Sequence, residues 1–145
     1  MLRAPSRTLK RRMKRPNTEI PTEIADLWID AQRIIHIRFN DSPSHGISEA
    51  KAVVEAHNQL AAGSPACVIA DIRAVKVGAN REARKYYVSP ESAEYKTAMA
   101  MLVSSPIQRM LGNIFLKLNR PPYPTRIFNY EPDAIQWLTD FEEAS

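Results

Sequence analysis

The segment from Ser105 to Leu118 defines a helix almost to its ends, and it constrains the fold more than any other stretch of the chain. Ser105 can cap the first turn, Pro106 fits the first helical position, and Gln108 completes a Ser-x-x-Gln capping box. Apolar residues then follow the helical period: Ile107, Met110, Leu111, Ile114, Phe115 and Leu118. This stripe is expected in the core, with cationic residues on the opposite face. Leu111→Ala would then lower the free energy of unfolding by about 2–5 kcal/mol.

Strand and helix patterns alternate before this segment. From Ile24 to Phe39, two runs of alternating apolar and polar residues predict a β-hairpin with one face in water, and His36 is expected on that face. Ser48 is expected to cap a helix that ends at Gly63. The unbroken apolar run 67–70 predicts a short strand buried on both faces.

The alternation continues to the end of the chain. Asn80 can cap a helix through Tyr87, and an apolar strand follows at 98–103. A final strand is expected at 125–129, and Pro132 begins a last helix. Strands that alternate with helices imply right-handed parallel crossovers. The fold class is therefore α/β: one domain with a mostly parallel sheet of about five strands, an N-terminal antiparallel hairpin and about four helices.

The positive charge of the chain is concentrated at its N-terminus. Residues 1–17 hold seven of the 20 Lys and Arg residues and no acid, so the remainder is slightly acidic. Residues 1–20 are expected to form a basic arm and residues 21–145 the folded domain. Weak nucleic-acid or anionic-lipid binding by the arm would use Arg11, Arg12, Lys14 and Arg15. A solvated extension or an organellar targeting peptide fits the same composition.

Several classes of function find no support in the sequence. The single cysteine, Cys67, opens an apolar run with no obvious base nearby, so a buried, reduced thiol is expected rather than a nucleophile. The four glycines form no phosphate-binding loop, and the three histidines lack metal-ligand spacing. No stretch suggests a membrane span or a signal peptide. We expect a cytoplasmic chain with no catalytic residues, no cofactor and no metal.

The best candidate site follows the buried strand 67–70. Asp71 lies where open α/β sheets place ligands, and cations crowd the segment after it. The candidate partner-binding residues are Asp71, Arg73, Lys76, Arg81, Arg84, Lys85 and Tyr87. The alternative is that Asp71 caps local backbone amides beside a solvated helix face.

Four segments carry a resemblance to a known group of proteins. They are Asp71-Ile72-Arg73-Ala74-Val75-Lys76, Arg81-Glu82-Ala83-Arg84-Lys85-Tyr86, Ser105-Pro106-Ile107 with Gly112-Asn113, and Pro121-Pro122-Tyr123-Pro124-Thr125-Arg126. With them the chain resembles small bacterial STAS-like proteins of unassigned function, from about Ile24 to Phe141. These are relatives by fold of the anti-sigma-factor antagonists and, more distantly, of the CRAL-TRIO lipid carriers. The resemblance implies a STAS-like βα superhelix.

The resemblance implies a protein-binding role like that of the antagonists, but not their switch by phosphorylation. In the antagonists a serine after this strand is phosphorylated, whereas the matching stretch Val77-Gly78-Ala79-Asn80-Arg81 has no hydroxyl. The first hypothesis is a non-enzymatic module that binds another protein or a second copy of the chain. The second is a carrier of a small apolar or lipid ligand, in a pocket lined by Met99, Met101, Met110 and Phe115. A packed core would explain those four residues as well.

Overall fold

One six-stranded mixed sheet forms the centre of the molecule. The computed structural model describes residues 19–144, so the basic arm with Arg11, Arg12, Lys14 and Arg15 lies outside the described residues. The strands are β1 (Ile20–Pro21), β2 (Ala25–Ile29), β3 (Ile35–Phe39), β4 (Ala66–Asp71), β5 (Lys96–Leu102) and β6 (Thr125–Phe128). They lie in chain order, with β1, β2 and β3 antiparallel and the rest parallel. The predicted hairpin and parallel sheet are confirmed, with β1 as an additional strand.

Five helices connect or follow the strands in the described part of the chain. They are α1 (Ile47–Ala61), α2 (Arg81–Tyr87), α3 (Pro90–Ala93), α4 (Pro106–Asn119) and α5 (Glu131–Ala144). Because the strands lie in chain order, crossovers of one hand place α1, α2 and α4 on the same face of the sheet. We call this the front face. The final helix, α5, covers the back face.

The back face carries a closely packed core. Ala134 and Leu138 of α5 lie against Cys67 and Ile69 of β4 and against three residues of β5, Ala98, Ala100 and Leu102. Leu138 has no exposed surface. All six residues of β4 are buried, because helices cover the strand on both faces and strands flank it on both sides.

The expectation that His36 faces water is wrong. Its side chain is 8% exposed and stacks on Trp28, with ring centroids 4.8 Å apart and planes 9° apart. His36 Nε2 lies 2.9 Å from Asp30 Oδ2, and the Arg38 guanidinium lies 4.9 Å from the centre of the Trp28 ring. The polar side chains of the hairpin therefore cover its back face themselves.

Two of the three side-chain caps predicted from the sequence are present. Asn80 Oδ1 accepts a hydrogen bond from the Ala83 amide at 2.9 Å. Ser105 Oγ accepts from the Gln108 amide at 3.1 Å. The reciprocal half of this capping box is displaced by one residue, because Gln108 Oε1 accepts from the amide of Ser104 at 2.8 Å.

The start of α1 differs from the prediction. The helix begins at Ile47 rather than after Ser48, with Gly46 as its cap residue. Glu49 Oε1 accepts from the Gly46 amide at 2.7 Å and satisfies an N–H group that a serine cap would leave free. The acidic side chain three residues into the helix therefore determines where it begins.

The predicted burial of the α4 stripe is wrong. Five of its six residues are exposed: Ile107 66%, Met110 54%, Leu111 56%, Ile114 47% and Leu118 77%. The helix meets the sheet through Gly112 instead, where an added Cβ would lie 3.0 Å from Ile127 Cδ1. Phe115 and Leu116 pack beside this contact. The reason is that α4 packs on β5 and β6 through Gly112, so its stripe borders the open space that Val53 and His57 of α1 also line, instead of lying on the sheet.

These burial differences predict unequal effects of truncation. Leu138→Ala should lower the free energy of unfolding by about 2–5 kcal/mol, because it opens a cavity in the back-face core. Leu111→Ala should cost less than about 1 kcal/mol, since over half of that side chain is already in water. Urea unfolding of both variants tests this, and equal costs would contradict the exposed position of the stripe.

Candidate functional site

A cavity of about 700 Å³ lies on the front face between α1, α2 and α4. Ala70, Met99 and Met101 form its floor, and one wall is the α4 stripe without Met110. It is an open cleft rather than an enclosed void, because Ile107, Leu111 and Leu118 in its wall are each more than half exposed. Cavities that hold small molecules have volumes of ~300–1,000 Å³ and mostly apolar walls. The cavity therefore has the dimensions and surface of a ligand pocket.

Three of the four residues expected to line an apolar pocket lie in these walls. Met99 and Met101 come from β5, and Phe115 comes from α4. Met110 does not lie there. It is exposed on the outer side of α4 in a shallow groove with Arg109 and Lys117, because adjacent helical residues point about 100° apart.

His57 lines the cavity and carries a buried, unpaired polar atom. The residue is fully buried on α1, and its Nε2 has no hydrogen-bond partner among the described residues. Its Nδ1 lies 3.0 Å from the side-chain oxygen of Asn58. Because an amide oxygen only accepts, Nδ1 carries the hydrogen and Nε2 keeps its lone pair. Burial, assisted by the charge of Lys96, lowers the pKa of His57 to about 4, so the ring is neutral at neutral pH.

Lys96 places a buried ammonium in the same cavity. The side chain is 8% exposed, and its Nζ donates to Ser92 O at 2.5 Å and lies 3.5 Å from Ser92 Oγ. Both partners are neutral, and burial lowers the pKa of Lys96 to about 8. A lysine ammonium has three N–H donors, so one remains available to a further acceptor.

The sequence could not place Lys96 correctly. Strict alternation along β5 would put it on the back face with Ala98 and Ala100. The pairing of β4 with β5 shifts register between Ala66 and Cys67, so Lys96 lies beside Ala66 on the front face. A β-bulge of this kind reverses the face of every residue before it, and no turn residue in the sequence indicates it.

Aromatic residues close the other end of the cavity. The Tyr87 hydroxyl lies 2.6 Å from His45 Nε2, and the Phe39 ring stacks on His45 with centroids 5.5 Å apart. Burial raises the pKa of Tyr87 and lowers that of His45. Both groups are therefore neutral at neutral pH, and this end of the cavity carries no charge from them.

Gln108 fixes the start of α4 beside this end. Its side-chain nitrogen donates to the carbonyl oxygens of Ile72 at 3.0 Å and Val75 at 3.1 Å. These contacts join the first turn of α4 to the loop after β4. Sequence reasoning assigned Gln108 only to a capping box and missed this role.

Asp71 and Arg73 lie in an ion-pair cluster at the end of β4. Asp71 accepts from the Arg73 amide at 3.0 Å and from the Arg73 guanidinium at 3.0 and 2.8 Å. The guanidinium of Arg38 lies 3.5 Å from Asp71, and that of Arg73 lies 3.3 Å from Glu131 of α5. Burial alone would raise the pKa of Asp71, but the hydrogen bonds and charge of Arg73 lower it overall. The hydrogen-bonding capacity and the charge of Asp71 are therefore satisfied by groups of the same chain.

The other predicted partner-binding residues are divided between two places. Lys76, Arg84 and Tyr87 line the front-face cavity, and Arg84 also donates to the Ala79 carbonyl at 2.6 Å. Arg81 and Lys85 are exposed on α2, outside the cavity. Together with the Asp71 cluster, the structure therefore distributes the seven residues over three sites.

Comparisons with known proteins identify the fold but no activity. A family model described as a domain of unknown function, DUF7793, matches residues 27–142. The crystal structure of an uncharacterised DUF3478-family protein from Shewanella loihica PV-4, described as having a SpoIIAA-like fold, is similar with a TM-score of 0.60 and 12% identity. The similarity covers 82% of this chain and 98% of that one, and it confirms the STAS-like fold predicted from the sequence.

Two further comparisons add no function. A protein of unknown function from Arthrobacter sp. FB24 has 25% identity over 83% of this chain and 96% of that one, with a TM-score of 0.29. No curated protein matches the chain. Within residues 19–144, every helix is too short or too polar to cross a membrane.

The buried state of His57 predicts a pH dependence of stability. The unfolded chain binds a proton at this histidine near pH 6.5, whereas the folded chain binds it only near pH 4. Stability is therefore highest above pH 6.5 and falls as the pH decreases towards 4, by about 3 kcal/mol from this residue. Urea unfolding between pH 7 and pH 4 should show the loss in the wild type and a smaller loss in His57→Leu. Equal losses in the two proteins would contradict the assignment, because other acid-sensitive groups are common to both.

Proposed function

The chain belongs to the DUF7793 family, and we propose that it binds one apolar small molecule in the front-face cavity, as a carrier or sensor rather than as an enzyme. This role corresponds to the second hypothesis from the sequence. It gives the cavity and the exposed stripe of α4 a common explanation.

The position of the α4 stripe is the observation that carries this proposal. Ile107, Leu111 and Leu118 are each more than half exposed and border the same cavity. Large apolar groups that share a surface with a cavity gain most when an apolar molecule fills it, because each buried Å² contributes about 25 cal/mol. Contiguous exposed apolar surface of this kind marks a binding site more often than a structural defect.

The chemistry of the cysteine supports a binding role rather than covalent catalysis. Cys67 faces α5 on the back of the sheet, away from the cavity, with Sγ 3.4 Å from Glu142 Oε1. Burial and the nearby carboxylate raise the pKa of the thiol to about 12. The thiol is therefore protonated at neutral pH and is a poor nucleophile.

Filling the cavity with a side chain should prevent binding. Ala70→Phe extends a ring from the floor into the space, so we expect the affinity for the neutral dye Nile red to fall at least tenfold. Met110→Phe adds the same ring on the outer side of α4 and should leave the affinity unchanged. Fluorescence titration of the full chain measures both. Equal affinity in the wild type and Ala70→Phe would show that the dye binds elsewhere.

A protein-interaction module is the second candidate, and the outer side of α4 favours it. Met110 is 54% exposed beside Arg109 and Lys117, and it does not line the cavity. Methionine and arginine are enriched in protein interfaces, whose rims are polar. Self-association through this surface would make the partner a second copy of the chain.

Sedimentation velocity distinguishes this second candidate from the first. If α4 pairs with a second copy, the full chain should be a dimer at micromolar concentration, and Met110→Glu should convert it to a monomer. Nile red binding should be unaffected by this change, because residue 110 lies outside the cavity. A wild-type monomer at high concentration would exclude self-association through α4.

A further inference from the structure

We infer that the ligand is a single-chain amphiphile with a carboxyl head, bound by Lys96 and His57, whose apolar chain lies along Ala70, Met99 and Met101 beneath α4. This inference rests on the proposed function and specifies the ligand for the same cavity. Three features of the cavity support it: the positive charge of its walls, the unused hydrogen-bonding capacity at one end, and the apolar character of the rest.

The titratable residues in the cavity walls are all basic or neutral. Two lysines, one arginine and two histidines line it, and no Asp or Glu does so among the described residues. At one end, Lys76 Nζ lies 3.7 Å from Asp41. Arg84 and Lys96 each donate to a neutral carbonyl, and no carboxylate of residues 19–144 forms an ion pair with either. Lys96 is the more deeply buried of the two, so it carries the buried charge that lacks a counter-charge.

A buried ammonium without a counter-ion is costly, and a ligand can supply the missing charge. The two contacts from Lys96 to Ser92 satisfy part of its hydrogen-bonding capacity but none of its charge. An anionic oxygen from the ligand would accept the remaining N–H group and form a charge-assisted hydrogen bond. In a buried site such a bond is stronger than in water.

The unpaired nitrogen of His57 specifies the head further. Nε2 has a lone pair with no hydrogen-bond partner among the described residues, and His57 and Lys96 both line the cavity. A carboxylate can serve both residues. One oxygen accepts from the Lys96 ammonium, and His57 takes one proton from solvent at Nε2 and donates it to the other oxygen. The bound carboxylate then lies between two cations, at the cost of one proton taken up by the protein.

Other heads satisfy the site less well. An amine would place a second positive charge beside Lys96. A hydroxyl would donate to His57 but leave the Lys96 charge uncompensated, and a methyl ester would have no hydrogen for His57. The chain attached to the head must be apolar, because the floor is formed by Ala70 and two methionines, whose flexible thioethers adapt to ligands of varied shape.

Competition for the cavity tests the head directly. The full chain is loaded with Nile red, and hexadecanoic acid, hexadecan-1-ol and methyl hexadecanoate are added below their aggregation limits. We expect the acid to displace the dye at a concentration at least tenfold lower than the alcohol or the ester. Equal displacement by all three would overturn the carboxyl assignment while leaving the proposed function intact. Failure of the dye and of all three compounds to bind would overturn the proposed function itself.

Two lysine variants locate the head. Lys96→Met retains the length of the side chain without its charge, and we expect the preference for the acid over the ester to fall to less than threefold while dye binding persists. Lys85→Met makes the same change on the exposed face of α2 and should retain the full preference. A Lys96→Met protein that still prefers the acid tenfold would show that the head lies elsewhere.

A second measurement does not depend on the folding of Lys96→Met. Hexadecanoic acid is labelled with ¹³C at its carboxyl carbon, and the chemical shift of this carbon should change when the acid binds to the wild-type chain. His57→Leu should bind the acid at least fivefold more weakly than the wild type. Lys85→Met should reproduce the wild-type signal. An identical bound signal and affinity in His57→Leu would contradict the contact with His57.

Discussion

The rest of the structure depends on β4, the strand that is buried along its whole length. A strand with partners on both sides and no exposed residue needs a cover on each face, and the chain supplies these covers differently. On the back face α5 alone packs against β4 and β5. On the front face α1 and α4 lie on either side of Ala70, whose small side chain cannot fill the space between them. The cavity is therefore a consequence of how two helices share one face of the sheet.

The polar groups at the two ends of the parallel strands differ in whether their hydrogen bonds and charges are satisfied. At the carboxyl end of β4, Asp71 is surrounded by the guanidinium groups of Arg73 and Arg38, and its hydrogen bonds are satisfied. At the amino end of β5, no carboxylate of residues 19–144 pairs with Lys96, and His57 Nε2 has no hydrogen-bond partner within the same range. Open α/β sheets usually place ligands at the carboxyl end, which is why the sequence drew attention to Asp71. Unsatisfied buried groups are the stronger sign of a site, and they lie at the other end.

Local sequence patterns predicted most of the helices and strands, because these elements depend on interactions between residues that are close in the sequence. Caps at Asn80 and Ser105, alternation in the hairpin and the unbroken run of β4 each describe interactions between near neighbours. The site depends on long-range features that no local pattern records. The apolar period of α4 specifies which residues share a face, but not that this face would border an open cavity. The register shift beside Cys67 likewise moves Lys96 to the front face without any mark in the sequence.

Three features that cost stability coincide in one region of the molecule, and this coincidence is difficult to attribute to folding alone. The exposed stripe of α4, Lys96 and His57 all border the same cavity, and within the described part of the chain Lys96 has no carboxylate partner and His57 Nε2 has no hydrogen-bond partner. Exposed apolar residues and unsatisfied buried polar groups lower stability, and proteins retain them mainly at functional sites. A ligand that binds only the folded chain offsets the cost, by about 2.7 kcal/mol at a hundredfold excess over its Kd. Filling the cavity would also bury the α4 stripe, so the occupancy of the site and the packing of α4 are thermodynamically linked.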